Sequence, residues 1–129
     1  MLGIDTNVIV RLLTRDDPKE SARAHALIEG EDVFVPTTVL LETEWVLRSI
    51  YGFAPDRIAI ALTSFVGLNR VRLENPTLVA VSLRWMQQGM DFADALHLAA
   101  AESCDAFVSF DRDFANIAAK IGTPKVRAP

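Results

Sequence analysis

Met1-Leu2-Gly3-Ile4-Asp5-Thr6-Asn7-Val8-Ile9-Val10-Arg11-Leu12-Leu13 opens the chain with a short apolar run, an acid, two small polar residues and a second apolar run. The pattern reads as a buried strand, a tight turn and a helix, with Thr6 or Asn7 as the helix cap. Asp5 then stands at the carboxyl end of the strand. In open α/β sheets that edge is where ligands bind. An Asp ahead of a helix also serves simply as a cap. What Asp5 does therefore turns on whether other acids reach the same edge.

Outward from this stretch, helices and strands alternate. Asp17-Pro18 marks a helix start, with Asp17 as cap and Pro18 as first helical residue. That helix runs from Lys19 to Glu29, with Ala22, Ala26 and Leu27 inward, and Gly30 ends it. Val33-Phe34-Val35 is a second strand, followed by a helix from about Val39 to Tyr51 that Gly52 stops. Pro55-Asp56 opens a helix to about Val66, and Val71-Arg72-Leu73 is a third strand. Asn75-Pro76 begins a helix to Gln88, closed by Gly89. Asp91 opens an Ala-rich helix through Ala101. Ala106 to Phe110 is the fourth strand, followed by a short helix to Lys120. Lys125 to Arg127 is a weak last strand. Short links between alternating elements mean an α/β fold with a mostly parallel sheet covered on both faces. Residues 1–129 read as a single domain, with no repeat, linker or low-complexity tract.

The 129 residues are 50% hydrophobic, which argues against disorder. No apolar run is long enough to span a membrane, and the opening stretch lacks the basic start of a signal peptide. Cys104 is the only cysteine, which excludes an internal disulfide and a cysteine-based zinc cluster and fits a reducing, cytoplasmic setting. The net charge of −4 is unlike that of a general nucleic-acid binder. An acidic chain acting on nucleic acid needs metal ions, or a local basic patch, to manage the repulsion.

Four segments bring acids to one edge. Asp5 ends the first strand and Asp111 follows the fourth. Glu42 lies early in the helix after strand two. The helix before strand four runs antiparallel to it, so Asp91 and Asp94 at its start face the carboxyl edge. Such carboxylates repel, and a divalent cation relieves them. Oxygen ligands without nitrogen or sulfur suit Mg²⁺ or Mn²⁺. A metal held this way neutralises charge on a phosphodiester and lowers the pKa of bound water.

Each acid has a plainer role to set beside this one. Asp91, three residues before Asp94, reads as a cap. Glu44 has Arg48 four residues on, an ordinary helix-surface pair. Glu42 falls on a stripe with Val39, Trp45 and Val46, so Glu42 is preferred for the site. Asp113 is an outer candidate ligand beside Asp111. Thr6, Asn7 and Ser109 are candidates to orient the carboxylates, although turn chemistry also accounts for them. His25 reads as solvated or partly packed, and His97 as a packed, hydrogen-bonded residue rather than a base.

Leu2 to Val8, Val39 to Glu42 with Trp45-Val46-Leu47, Asp91 to Ala101, and Ser109-Phe110-Asp111-Arg112-Asp113-Phe114 together resemble the PIN-domain ribonucleases, most closely the VapC-type toxins of bacterial toxin–antitoxin pairs. The resemblance runs through the chain in order. It implies a three-layer α/β/α domain with strand order 3-2-1-4-5. It also implies a Mg²⁺- or Mn²⁺-dependent endoribonuclease whose acidic quartet matches Asp5, Glu42, Asp94 and Asp111. The expected metal ligands are Asp5, Asp94 and Asp111, with Asp113 added from the residue reading above. A homodimer, an RNA substrate and a small VapB-like antitoxin follow as expected partners. Where the family has Thr two residues before the fourth acid, this chain has Ser109, which keeps the hydroxyl.

Other readings fare differently. A haloacid-dehalogenase-like phosphatase needs a second Asp where this chain has Asn7. A receiver domain needs paired acids and a late Lys that are absent. A PIN nuclease in RNA maturation without an antitoxin, and a non-enzymatic interaction module, stay open. On the first helix, Val8, Ile9, Val10, Leu12 and Leu13 cover an arc of roughly 200°, wider than one core-facing stripe needs. That arc is the expected docking surface for a protein partner, unless neighbouring helices bury it.

Overall fold

Ile4 is the residue from which the chain turns out of its first strand, and it lies in the core while its neighbours do not. The computed structural model describes residues 1–129. β1 (Leu2–Gly3) is only two residues long and both are exposed. Its expected burial is thus corrected: Ile4 alone is buried there. The ladder nevertheless continues through Ile4, whose N–H donates to the Phe34 carbonyl at 3.1 Å.

The chain divides into two compact units, Met1–Pro76 and Thr77–Pro129. In the first unit, α1 (Thr6–Thr14), α2 (Pro18–Gly30), β2 (Val33–Val35), α3 (Thr37–Ser49), α4 (Pro55–Val66) and β3 (Val71–Leu73) follow β1. The strands form a parallel sheet ordered β1-β2-β3, with Val33 opposite both Leu2 and Val71. β2 is central, and Val33 and Val35 are fully buried, as an apolar strand without alternation requires. α1 packs against both α2 and α3. Ile9, Leu40, Leu47, Ile58, Leu62 and Phe65 complete this core.

The second unit contains α5 (Pro76–Gln87), α6 (Phe92–Ala100), β4 (Phe107–Val108), α7 (Arg112–Ile121) and β5 (Val126–Arg127). Here β4 and β5 pair in parallel. Met90, Ala95, Leu98, Phe114 and Ala118 form its core, with Trp85 and Phe107 packed against them. The α/β class and parallel pairing are as expected, and the order 3-2-1-4-5 is present in its two parts, β3-β2-β1 and β4-β5.

Local signals placed most boundaries. Asp17 caps α2 by accepting from the Glu20 N–H at 3.0 Å, with Pro18 in the first turn. Gly52 and Gly89, the expected stops, adopt positive φ, and so does Gly122 after α7. Inward faces were harder to read. On α2 the buried residues are Ser21, Ala24 and Ile28, whereas Ala22 and Ala26 are exposed. Alanine is apolar enough for either face, so periodicity among alanines does not settle which way a helix turns.

The same ambiguity decides α3. Its buried stripe is Leu40, Thr43, Glu44 and Leu47, and Glu44 is only 2% exposed. The expected surface pair is therefore a pair with a buried member: Arg48 Nε donates to Glu44 Oε2 at 2.8 Å. Glu42 and Glu44 lie about 200° apart on a helix of 3.6 residues per turn. One stripe cannot hold both, so Glu42 is exposed, and of the expected apolar stripe around it Trp45 is exposed while Val39 and Val46 are half-buried.

On α1, Ile9, Val10 and Leu12 are buried, while Val8 and Leu13 are half-buried. Neighbouring helices thus cover most of the wide apolar arc and leave its two margins. Glu44→Ala is expected to lower stability by about 2 kcal/mol, because it opens a hole and strips Arg48 of its buried partner. Glu44→Met should lose much less, since packed apolar volume replaces a desolvated charge. Urea unfolding of both variants checks this; equal losses would mean that the charge, and not the packing, is what matters.

Candidate active site

Helix starts supply the acids. Asp5 follows β1 and caps α1, its Oδ1 accepting from the Thr6 N–H at 2.8 Å. Thr6 is the first helical residue, so the expected Thr6 or Asn7 cap is corrected to Asp5. The Thr6 hydroxyl is committed elsewhere: it donates to Glu42 Oε1 at 2.5 Å. This bond ties the start of α1 to the second turn of α3. Asp5 and Glu42 line one groove of about 340 Å³ together with Thr6, Asn7 and Tyr51. Asp5, Asn7 and Glu42 are exposed there, whereas Thr6 is buried.

A further acid at this edge has no local sequence signal. Pro36 offers no side-chain cap to α3. Glu74, just after β3, supplies it from 37 residues away, its Oε1 accepting from the Thr37 N–H at 2.8 Å. Also missed was the cluster around Arg11. Arg11 Nε donates to Glu20 Oε1 at 2.7 Å, and its Nη1 donates to Asp16 Oδ1 at 3.0 Å and to the Tyr51 hydroxyl at 3.2 Å. Tyr51 in turn donates to Asp16 Oδ2 at 2.7 Å. That bond, a second from Thr14 and the Arg11 charge hold the Asp16 carboxyl below its usual range. An Arg interrupting an apolar helix was the available hint. Its Tyr51 partner, 40 residues on, was not readable locally.

In the second unit, Asp91 caps α6, its Oδ1 accepting from the Asp94 N–H at 3.0 Å. Asp111 follows β4 and caps α7, accepting from the Phe114 N–H at 3.0 Å. Ser109 braces that turn: its Oγ accepts from the Asp111 N–H at 3.0 Å. Asp94 is part-buried, and its carboxyl is pushed above the ordinary value, first by burial and then by the charges of Asp91 and Asp111. The antiparallel run of α6 toward β4 thus brings Asp94 within reach of the Asp111 charge. Asp113 is exposed in the first turn of α7. His97 was expected to be packed and is instead exposed, where its charge moderates the rise at Asp94.

The donors are all carboxylate oxygens, which suit a hard divalent cation, and the crowding around Asp94 is of the kind that a cation relieves. In neither unit, however, do three His, Cys, Asp or Glu side chains stand in position to hold one ion. Asp5 and Glu42 belong to the first unit, and Asp94 and Asp111 to the second.

An α/β chain with parallel strands and acids following their carboxyl ends is the class that the elements and their caps define. A family model, the PIN domain, matches residues 3–120, and the chain belongs to the PIN-domain family. Among solved structures, VapC20 of Mycobacterium tuberculosis, a toxin that cleaves the sarcin–ricin loop, is 23% identical over 98% of this chain and 99% of that chain, with a TM-score of 0.46. The search of curated proteins gives no match. No helix is long and apolar enough to cross a membrane.

The raised Asp94 carboxyl gives a signed prediction. Folding strengthens its hold on a proton, so the stability it contributes is complete below its ordinary value of 3.8 and declines as pH rises through its folded-state value. Asp94→Asn should therefore melt higher than the parent at neutral pH without metal, and the gap should close in acid. Mn²⁺ should raise the melting temperature of the parent more than that of the variant. Differential scanning calorimetry across pH reads all three outcomes; a gap independent of pH would assign the effect to packing.

Proposed function

We propose that this chain is a Mg²⁺- or Mn²⁺-dependent endoribonuclease, acting as the toxin of a toxin–antitoxin pair. The observation that carries this reading is the PIN-domain match over residues 3–120, which includes all four acids of the expected quartet. On this reading the two units are parts of one domain, and Asp5, Glu42, Asp94 and Asp111 serve one reaction.

Asp5, Asp94 and Asp111 would hold the cation, with Asp113 as an outer ligand. When bound, the cation supplies charge neutralisation at the phosphodiester and a more acidic water. The remaining work falls to the chain. Thr6 holds the Glu42 carboxylate in one orientation. Ser109 fixes the backbone from which Asp111 projects, and Asn7 offers a donor and an acceptor at the groove. An aspartate capping a helix with one oxygen has a second oxygen for a ligand, so the caps at Asp5 and Asp111 are compatible with metal binding.

The partners belong to the same reading. The substrate is RNA, the assembly a homodimer and the setting cytoplasmic. A small VapB-like antitoxin would meet α1 at its half-buried margins, Val8 and Leu13. Val8 borders a groove with Arg11, Glu20 and Leu27, while Leu13 borders a second with Ile28, Phe65 and Leu68.

Expression of the parent in a bacterium beside Asp5→Asn and Asp94→Asn tests the proposal. The parent should arrest growth and cleave RNA. Both variants should fold, grow and lose cleavage by at least about a hundredfold, a barrier change of roughly 2.7 kcal/mol. The purified parent should stop cleaving in EDTA and recover with Mn²⁺. Cleavage that persists in EDTA would contradict the metal requirement, and an active Asp5→Asn would remove Asp5 from the reaction.

A further inference from the structure

The groove that holds Asp5 and Glu42 has a second kind of wall. Val46, Ile50 and Tyr51 line it from α3 and the turn that follows. Tyr51 is its only aromatic residue and is held from two sides. Its hydroxyl is clamped between Asp16 and Arg11. Its ring leans on Phe53 with centroids 5.8 Å apart, and the Arg57 guanidinium lies 4.0 Å over Phe53. A ring fixed in this way loses little freedom when it receives a flat ligand.

Charge decides which part of an RNA can enter. Arg11 is the only cation lining the groove, and Glu20 and Asp16 already engage its guanidinium. Asp5 and Glu42 therefore leave the groove anionic, a poor place for a backbone phosphate in the absence of metal. A neutral base meets no such repulsion. The chain as a whole carries a charge of −4 and so lacks general attraction for a polyanion. Affinity beyond what a cation supplies at the phosphodiester then comes from contacts to bases, and unpaired bases bind by stacking on aromatic side chains.

We infer that Tyr51 is a specificity-determining residue that receives an unpaired nucleobase of single-stranded RNA beside the phosphodiester handled at Asp5 and Glu42. The inference rests on the nuclease reading above and adds to it the residue that receives a base. A base-paired duplex keeps its bases inside the helix and cannot offer one to this groove.

The test uses the full chain carrying Asp94→Asn, which silences cleavage from outside the groove. Fluorescence anisotropy measures binding of a short labelled single-stranded RNA of mixed sequence, and of the same RNA with one abasic nucleotide placed at each position in turn. Adding Tyr51→Leu should weaken binding by roughly five- to a hundredfold, the range for loss of one stacked base. Tyr51→Phe, which keeps the ring, should lose much less. One abasic position should weaken the Tyr51-bearing chain by a similar factor and have no further effect in Tyr51→Leu.

Undiminished binding by Tyr51→Leu would overturn the inference. So would equal losses in the Phe and Leu variants, equal affinity for duplex RNA, or abasic losses that add fully to Tyr51→Leu at every position. Should Tyr51→Leu fail to fold, the abasic scan with Tyr51 intact still decides, since the absence of any sensitive position refutes a base site. Cleavage by the parent is scored separately. A parent that cleaves RNA without dependence on Tyr51 keeps the nuclease reading and loses this one; a parent that binds as described and never cleaves does the reverse.

Discussion

Aspartate at a helix start is the interaction on which this structure leans. Asp5, Asp17, Asp91 and Asp111 each accept a backbone N–H that the helix cannot satisfy internally. Each cap is worth about 1 kcal/mol, and the positive end of the helix dipole eases the negative charge. Folding alone therefore rewards a carboxylate just beyond a strand. Capping and ligand binding first look like rival explanations of Asp5 and Asp111. They are compatible, because the cap uses one carboxylate oxygen and a cation could use the other.

Holding such carboxylates close has a cost that appears at Asp94. Asp91, already fixed as the α6 cap, and Asp111, fixed as the α7 cap, both press on it electrostatically. Neither can swing away without giving up its helix start. Charge crowding is thus built into the second unit by local structure. In the first unit the comparable device is the Thr6–Glu42 bond, which gives an exposed glutamate a buried anchor. Glu44, two residues on, is tied down by Arg48 inside the packing of α3. Neighbouring glutamates on one helix thus have opposite surroundings.

What the sequence made readable follows from the range of the forces involved. Asp17-Pro18 and Gly89 act through their own backbone, and the boundaries they mark fall within a residue of where expected, whereas α3 ends at Ser49, two residues short of the expected Tyr51. Asp91 as a cap and the parallel α/β class were readable for the same reason. The facing of α2 and α3 was not, because alanines suit either side and the choice between Glu42 and Glu44 depends on which helices pack against α3. His97 likewise looked buried from its apolar neighbours, yet lies on the outer face of α6. Glu74 capping α3, and Tyr51 meeting Arg11 and Asp16, join residues 35 to 40 positions apart. Only the folded chain reveals them. The acidic quartet was chosen from sequence by position at the carboxyl edge, Asp5 and Asp111 after strands and Glu42 and Asp94 near helix starts, and its joint action is proposed from family membership.

The most direct measurement of that joint action is calorimetric titration of Mn²⁺ into the parent, Asp5→Asn, Asp94→Asn and the double variant. Residues that serve one ion are non-additive. One shared site predicts that either single change sharply weakens Mn²⁺ binding, and that the double variant binds no worse than the weaker single one. Losses that add, or a single variant that titrates like the parent, would contradict a site shared by Asp5 and Asp94.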